Sequence, residues 1–182
     1  MREPEPETIR RARQGDLGAF EALVRAYQAD AWRFAYHLTG NRTMAEDVTQ
    51  EAFLRAFRAM GTYKGEAKFT NWLLRIVRNC AVDLYRKQRR ETAVPMGGGT
   101  PESQDRRAPA PLPEDRLRID QAIRQLPLEL REPFVTIEVC GFDYQEASTI
   151  LGVKVGTLKS RMYRARAALM RALVDEEAAG EV

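Results

Sequence analysis

The chain of 182 residues carries 29 Lys and Arg against 26 Asp and Glu, a formal net charge of +3, and 44% hydrophobic residues. That length holds one ordinary domain or two small ones, and no apolar run approaches the ~18 residues of a membrane span. One His, two separated Cys without a CxxC pair, and no glycine-rich loop ahead of a Lys-Ser/Thr pair argue against metal, disulfide and phosphoryl-transfer chemistry. No enzyme, cofactor or metal is therefore expected, and with no secretory leader the expected setting is cytoplasmic.

Helical periodicity is strong and strand signals are almost absent, which predicts an all-α chain. Leu17, Phe20, Leu23, Val24, Tyr27, Ala31, Phe34 and Leu38 recur at spacings of three and four and form one apolar stripe. Asp16 fits an N-cap, and Gly40 with Asn41 supplies the stop. A second helix is predicted from about Thr43 to Met60, opened by a Thr43–Glu46 capping box, with Val48, Ala52, Phe53 and Phe57 facing inward. Gly61 to Lys68 reads as a loop. A third helix carries Trp72, Leu73, Ile76, Val77, Cys80, Ala81 and Leu84 on one side, opposite Arg75, Arg78, Asn79 and Arg86. Cys80 and Cys140 read as buried, inert thiols, and His37 as a core or helix-surface residue.

Glu91 to Pro113 changes character: it holds five prolines and the triplet Gly97-Gly98-Gly99, with few large apolar residues, and reads as a linker. Helical pattern resumes at Glu114 and stops at Pro127. The next helix is predicted to start near Glu132, with 128–131 a separate turn, because Pro133 lacks the N–H and crowds the preceding turn. The expected plan is a helical domain over 1–90, a flexible linker over 91–113, and a smaller helical domain over 114–182.

Near the end, Asp143 to Leu169 reads as two short helices joined at Gly152, a helix-turn-helix locked by Ala147, Ile150, Leu151, Val153, Val155 and Leu158. From Ala147 to Val174 there is no acid, while Lys154, Lys159, Arg161, Arg164, Arg166 and Arg171 supply six cations. Such a helix suits the phosphate-lined major groove of DNA. Gly156 and Thr157 are small enough for close backbone approach, with Lys154, Lys159, Ser160, Arg161 and Arg164 beside them. Arg and Lys either read guanine edges or grip phosphate, and both remain open.

A second basic block runs from Lys68 to Arg90, with seven cations and one acid, Asp83. Around its start, Tyr63, Lys68, Phe69 and Trp72 put aromatics and cations together, a combination suited to stacking on unpaired bases. The alternative is that Phe69 and Trp72 are core anchors, a role that the place of Trp72 on the apolar stripe suits equally well. Two separated basic blocks point to a polyanion touched in two places. A stand-alone helix-turn-helix repressor or activator remains the alternative.

Three stretches in order, AEDVTQEAFLRAFRAM, YKGEAKFTNWLLRIVRNCAVDLYRKQRR and LPLELREPFVTIEVCGFDYQEASTILGVKVGTLKSRMYRARAAL, resemble a bacterial RNA polymerase sigma factor of the extracytoplasmic-function (ECF) group. The resemblance covers nearly all but the linker and the two tails. It implies that Asp47, Gln50, Glu51, Leu54 and Arg55 lie on the helix that docks on core RNA polymerase. Their spacing places Asp47, Gln50, Glu51 and Leu54 on one face, which independently supports an interaction surface. It further implies that Lys68, Phe69, Trp72, Arg75, Arg78, Asn79 and Arg86 read and melt the promoter −10 element. Lys154, Gly156, Thr157, Lys159, Ser160, Arg161 and Arg164 would read the −35 element. The implied partners are core polymerase, promoter DNA and an anti-sigma factor, with a monomer expected when free. A ~22-residue linker reaches roughly 75 Å extended and about 26 Å as a coil. Elements about 16 base pairs apart span on the order of 55 Å, so the linker must be stretched to bridge them.

Overall fold

A computed structural model describes residues 1–92 and 114–180, with side chains over 1–88 and 118–174. The chain divides into two compact units, Met1–Thr100 and Pro101–Val182. Every regular element among the described residues is a helix, with no strand among them. The linker assigned to 91–113 lies outside the described residues except for its first two positions, which continue a helix.

The first unit holds α1 (Pro6–Arg13), α2 (Leu17–Thr39), α3 (Arg42–Ala59), a single 3₁₀ turn (Met60–Thr62) and α4 (Phe69–Thr92). The sequence assigned no helix before Leu17. α1 is short and charged, yet Pro6 opens it and buried Ala12, with half-buried Ile9, docks it on the core. α2 starts as expected: the Asp16 carboxylate accepts from the Ala19 N–H at 3.0 Å, and Gly40 ends it at φ 69°. The N-cap of α3 lies two residues earlier than the Thr43–Glu46 capping box implies. Asn41, read only as part of a stop, is its N-cap, its side-chain oxygen accepting from the Met44 N–H at 2.9 Å.

The core of this unit is built by α2 against α3 and α4. Phe34, Leu38, Leu73, Leu74 and Val77 are essentially sealed. Ala31, Ala35, Ala45, Ala52 and Ala56 are equally buried, and small residues there let the helix backbones approach closely. Each large apolar side chain so buried stabilises the unit by roughly 1.5–3 kcal/mol. Two expected core residues are exposed: Leu17 at 67% and Phe57 at 46%, the Phe57 ring meeting Phe20 edge-on at 5.1 Å. Both sit at the margin of their stripe, where the neighbouring helix no longer covers it.

The second unit holds α5 (Glu114–Gln125), α6 (Leu128–Phe134), a π-helical segment (Val135–Val139), α7 (Tyr144–Leu151) and α8 (Val155–Gly180). The expected break before Glu132 is not there: α6 is regular from Leu128 and carries Pro133 inside it. Leu130, Pro133 and Val135 are buried, and that burial offsets the ~3 kcal/mol that an interior Pro costs. The backbone then widens. The Cys140 N–H reaches back five residues to the Val135 carbonyl at 2.9 Å, and the Thr136 hydroxyl donates to the Glu132 carbonyl at 2.7 Å. Buried Arg131 donates to the Arg124 and Leu126 carbonyls, satisfying the end of α5.

Candidate nucleic-acid and polymerase interfaces

The α7–α8 pair is a helix-turn-helix built as its sequence implies. Asp143 caps α7, accepting from the Gln145 and Glu146 N–H groups at 2.8 Å, while Glu146 accepts from the Asp143 N–H at 3.3 Å. Gly152 turns the chain at φ 66°, and the Ser148 hydroxyl donates to the Val153 carbonyl at 2.7 Å, fixing the turn. Ala147, Ile150, Leu151, Leu158, Met162 and Ala165 are buried and lock the two helices. Val153 and Val155 are only half-buried.

Lys154, Gly156, Thr157, Lys159, Ser160 and Arg164 all lie on the exposed side, with Arg161 half-buried among them. A Cβ at Gly156 would meet nothing within 4 Å, and its φ is not positive, so the fold itself does not require glycine there. Two cations on this helix are drawn into ion pairs: Arg166 with Glu138, and Arg164 with Glu129 at 3.8 Å. Glu138 holds the Arg166 guanidinium more firmly protonated. Tyr163, between Arg161 and Arg164 in sequence and 78% exposed, is a further candidate that the charge pattern alone does not single out. Its position midway between Leu158 and Leu169, off the apolar stripe, was the available signal.

On α4, Arg75, Asn79 and Arg86 are exposed and Arg78 is half-buried, its Nη1 donating to the Asn79 side-chain oxygen at 3.3 Å. Lys68 is exposed just before the helix. Spacings of seven, four and seven residues put Lys68, Arg75, Asn79 and Arg86 along one face. Phe69 is a correction. It is 1% exposed, with its ring 5.5 Å from Tyr27, 5.9 Å from Tyr63 and 5.6 Å from Trp72. It anchors the core and offers no surface to a base. Trp72 is half-buried, packed on Tyr63 at 5.1 Å, so part of its ring remains accessible.

The α3 face gathers the residues assigned to it. Asp47, Gln50 and Leu54 are exposed, and Glu51 and Arg55 half-buried. The Arg55 Nε donates to Glu51 at 2.7 Å and its Nη1 donates to Asp83 of α4 at 2.8 Å. The Asp83 and Glu51 carboxylates raise the Arg55 guanidinium pKa further. A shallow cleft between α3 and α4 is lined by Asp47, Glu51, Arg55, Cys80, Asp83 and Lys87. Burial pushes the Cys80 thiol up to about 11, which leaves it protonated and unreactive near neutral pH. Among the described residues no cluster of metal-ligating side chains occurs, and no helix is long and apolar enough to cross a membrane.

These features define a two-module helical nucleic-acid-binding protein, each module with its own basic helix face. Residues 23–91 match the family model for Sigma-70 region 2, and residues 116–169 the model for Sigma-70, region 4. The ECF RNA polymerase sigma factor SigE of Mycolicibacterium smegmatis is 38% identical over 162 residues, covering 84% of this chain and 61% of the relative's length. The RNA polymerase sigma-H factor of Pseudomonas aeruginosa is 32% identical over 182 residues, covering 94% of each chain. Two solved structures superpose at a TM-score of 0.67. One is the sigma factor RpoE of Bartonella quintana with the anti-sigma factor NepR, 26% identical over 85% of this chain and 96% of that one. The other is CnrH with the cytosolic domain of CnrY, 27% identical over 93% and 96%. The chain belongs to the sigma-70 family, among the ECF-type sigma factors.

Proposed function

We propose that this chain is a promoter-specificity subunit of bacterial RNA polymerase, acting in the cytoplasm without catalysing a reaction itself. The observation that carries this is the pairing, in one chain and in order, of a region 2 module and a region 4 module, each with a basic helix exposed. Neither module needs to bind tightly, because a polymerase holding both sets their spacing. The domains are read as 1–90 and 114–182, joined by 91–113.

On this reading the α3 face of Asp47, Gln50, Glu51, Leu54 and Arg55 docks on core polymerase. Lys68, Arg75, Arg78, Asn79 and Arg86 track the backbone of the opened −10 element, while the accessible part of the Trp72 ring offers an apolar contact to an unpaired base. Phe69 supports them from beneath. Lys154, Lys159, Arg161 and Arg164 face the −35 duplex, with Gly156, Thr157 and Ser160 permitting close approach of the α8 start. One structural relative was solved with an anti-sigma factor, NepR, which supports a sequestering partner for this chain also.

The test is reconstitution. Core polymerase plus this chain should yield run-off transcripts from promoters mapped after its overexpression, and core alone should not. Failure to co-purify with core would sink the reading. Tight duplex binding by the chain alone would favour a stand-alone regulator instead.

A further inference from the structure

The start of α4 is capped from outside its own helix. Lys68, which precedes Phe69, offers no side-chain acceptor, and the first turn of α4 contains no acid. Glu3 fills the role from 66 residues away. Its Oε2 accepts from the Phe69 N–H at 2.8 Å, and its Oε1 accepts from the Thr70 N–H at 3.0 Å and from the Thr70 hydroxyl. Two N–H groups that a helix leaves without partners are thereby satisfied, and a negative charge sits at the positive end of the helix dipole.

The same segment has a second anchor. The Tyr27 hydroxyl donates to the Arg2 carbonyl at 2.7 Å, and the Tyr27 ring packs on Phe69 at 5.5 Å. Phe69 in turn contacts Tyr63, whose hydroxyl donates to the Ala67 carbonyl at 2.6 Å and so closes the loop that precedes α4. Burial, with the Glu3 charge nearby, raises both the Tyr27 and Tyr63 hydroxyls, Tyr27 to about 12. Both therefore stay protonated and able to donate.

We propose that Glu3 is a positioning residue for promoter melting: by capping α4 it fixes where the Tyr63–Lys68 loop ends and how Lys68, the accessible part of Trp72 and Arg75 are presented to unpaired bases. This rests on the reading of α4 as the −10 element reader. Glu3 itself touches no DNA; its carboxylate would repel phosphate. It acts through the Phe69 and Thr70 backbone.

The experiment assembles holoenzyme from core polymerase and either the wild-type chain, Glu3→Ala or Glu3→Gln. Three affinities are measured for each: core polymerase, a −35 duplex, and a single-stranded oligonucleotide carrying the −10 element of a mapped promoter. Glu3→Ala should weaken oligonucleotide binding about tenfold, on the scale of a lost cap, with the other two affinities unchanged. Glu3→Gln, which keeps an acceptor oxygen, should recover part of the loss. Equal or tighter oligonucleotide binding by Glu3→Ala overturns the proposal. So does a parallel fall in all three affinities, the mark of a general loss of folding. A wild-type holoenzyme that cannot tell the oligonucleotide from a scrambled one would overturn the reading of α4 itself.

Discussion

Arg55 on α3 donates to Asp83 on α4 at 2.8 Å, and this bond ties the proposed polymerase-facing helix to the proposed DNA-facing one. Asp83 is the single acid in the basic block from Lys68 to Arg90. Its position facing α3 explains why an acid sits there: it orients Arg55, which also holds Glu51 at 2.7 Å. The side chains are 40% and 52% exposed, so solvent screens the pair. Asp83→Ala is expected to lower stability by no more than ~1 kcal/mol. Core-polymerase affinity should fall about threefold, a change of the same order. A double-mutant cycle with Arg55→Ala checks this; additive effects on affinity would show that the two side chains act separately.

Phe69 is expected to behave as a core residue. Phe69→Ala should destabilise the first unit by about 3–5 kcal/mol, and Phe69→Leu by clearly less. Urea unfolding followed by the fluorescence of Trp32 and Trp72, both in this unit, reads the loss. A fully stable Phe69→Ala chain with weakened −10 oligonucleotide binding would instead restore the stacking role.

At Gly156 the fold leaves room for a methyl group. Gly156→Ala is expected to leave thermal stability unchanged or slightly raised, since Ala is the better helix former by roughly 1 kcal/mol. Binding of the −35 duplex in the holoenzyme should nonetheless weaken. Unchanged −35 affinity would show that the α8 backbone does not approach DNA at this point.

Cations on α8 should differ in their salt signature. Lys159 is exposed beside the start of the helix, whereas Arg166 is paired with Glu138. Lys159→Ala should reduce the slope of log affinity against log salt by about 0.9, the value of one phosphate contact. Arg166→Ala should change it by less than half as much. Equal slopes for the two variants would contradict this assignment.

Asp16 should make the stability of the first unit acid-sensitive. The Ala19 N–H and then the Arg11 guanidinium hold its carboxyl below its ordinary value of 3.8. A depressed folded pKa stabilises the fold above the unfolded value, and that contribution is lost as pH falls below 3.8 through the folded pKa. Asp16→Asn, which keeps the capping oxygen, should flatten the fall of Tm over this window. An unchanged pH profile would show that other carboxylates govern acid unfolding.

Much of this protein follows from local sequence. The apolar stripe of α2, the Asp16 and Asp143 caps, the Gly40 and Gly152 stops and the acid-free run on α8 are each set by residues within a few positions of one another. They act through backbone geometry and side-chain period, which a linear reading can follow. The helix-turn-helix and its charge were legible for that reason. Tertiary structure decided what depends on distant partners. Phe69 is core because Tyr27 and Tyr63 close over it. α6 runs through Pro133 because buried packing outweighs one missing N–H. Asp83 serves Arg55 across two helices. α4 begins at Phe69, ahead of any cap in its own sequence, because Glu3 arrives from the far end of the module to supply one. A hydrogen bond reports proximity in space, and no periodicity along the chain encodes a partner 66 residues away.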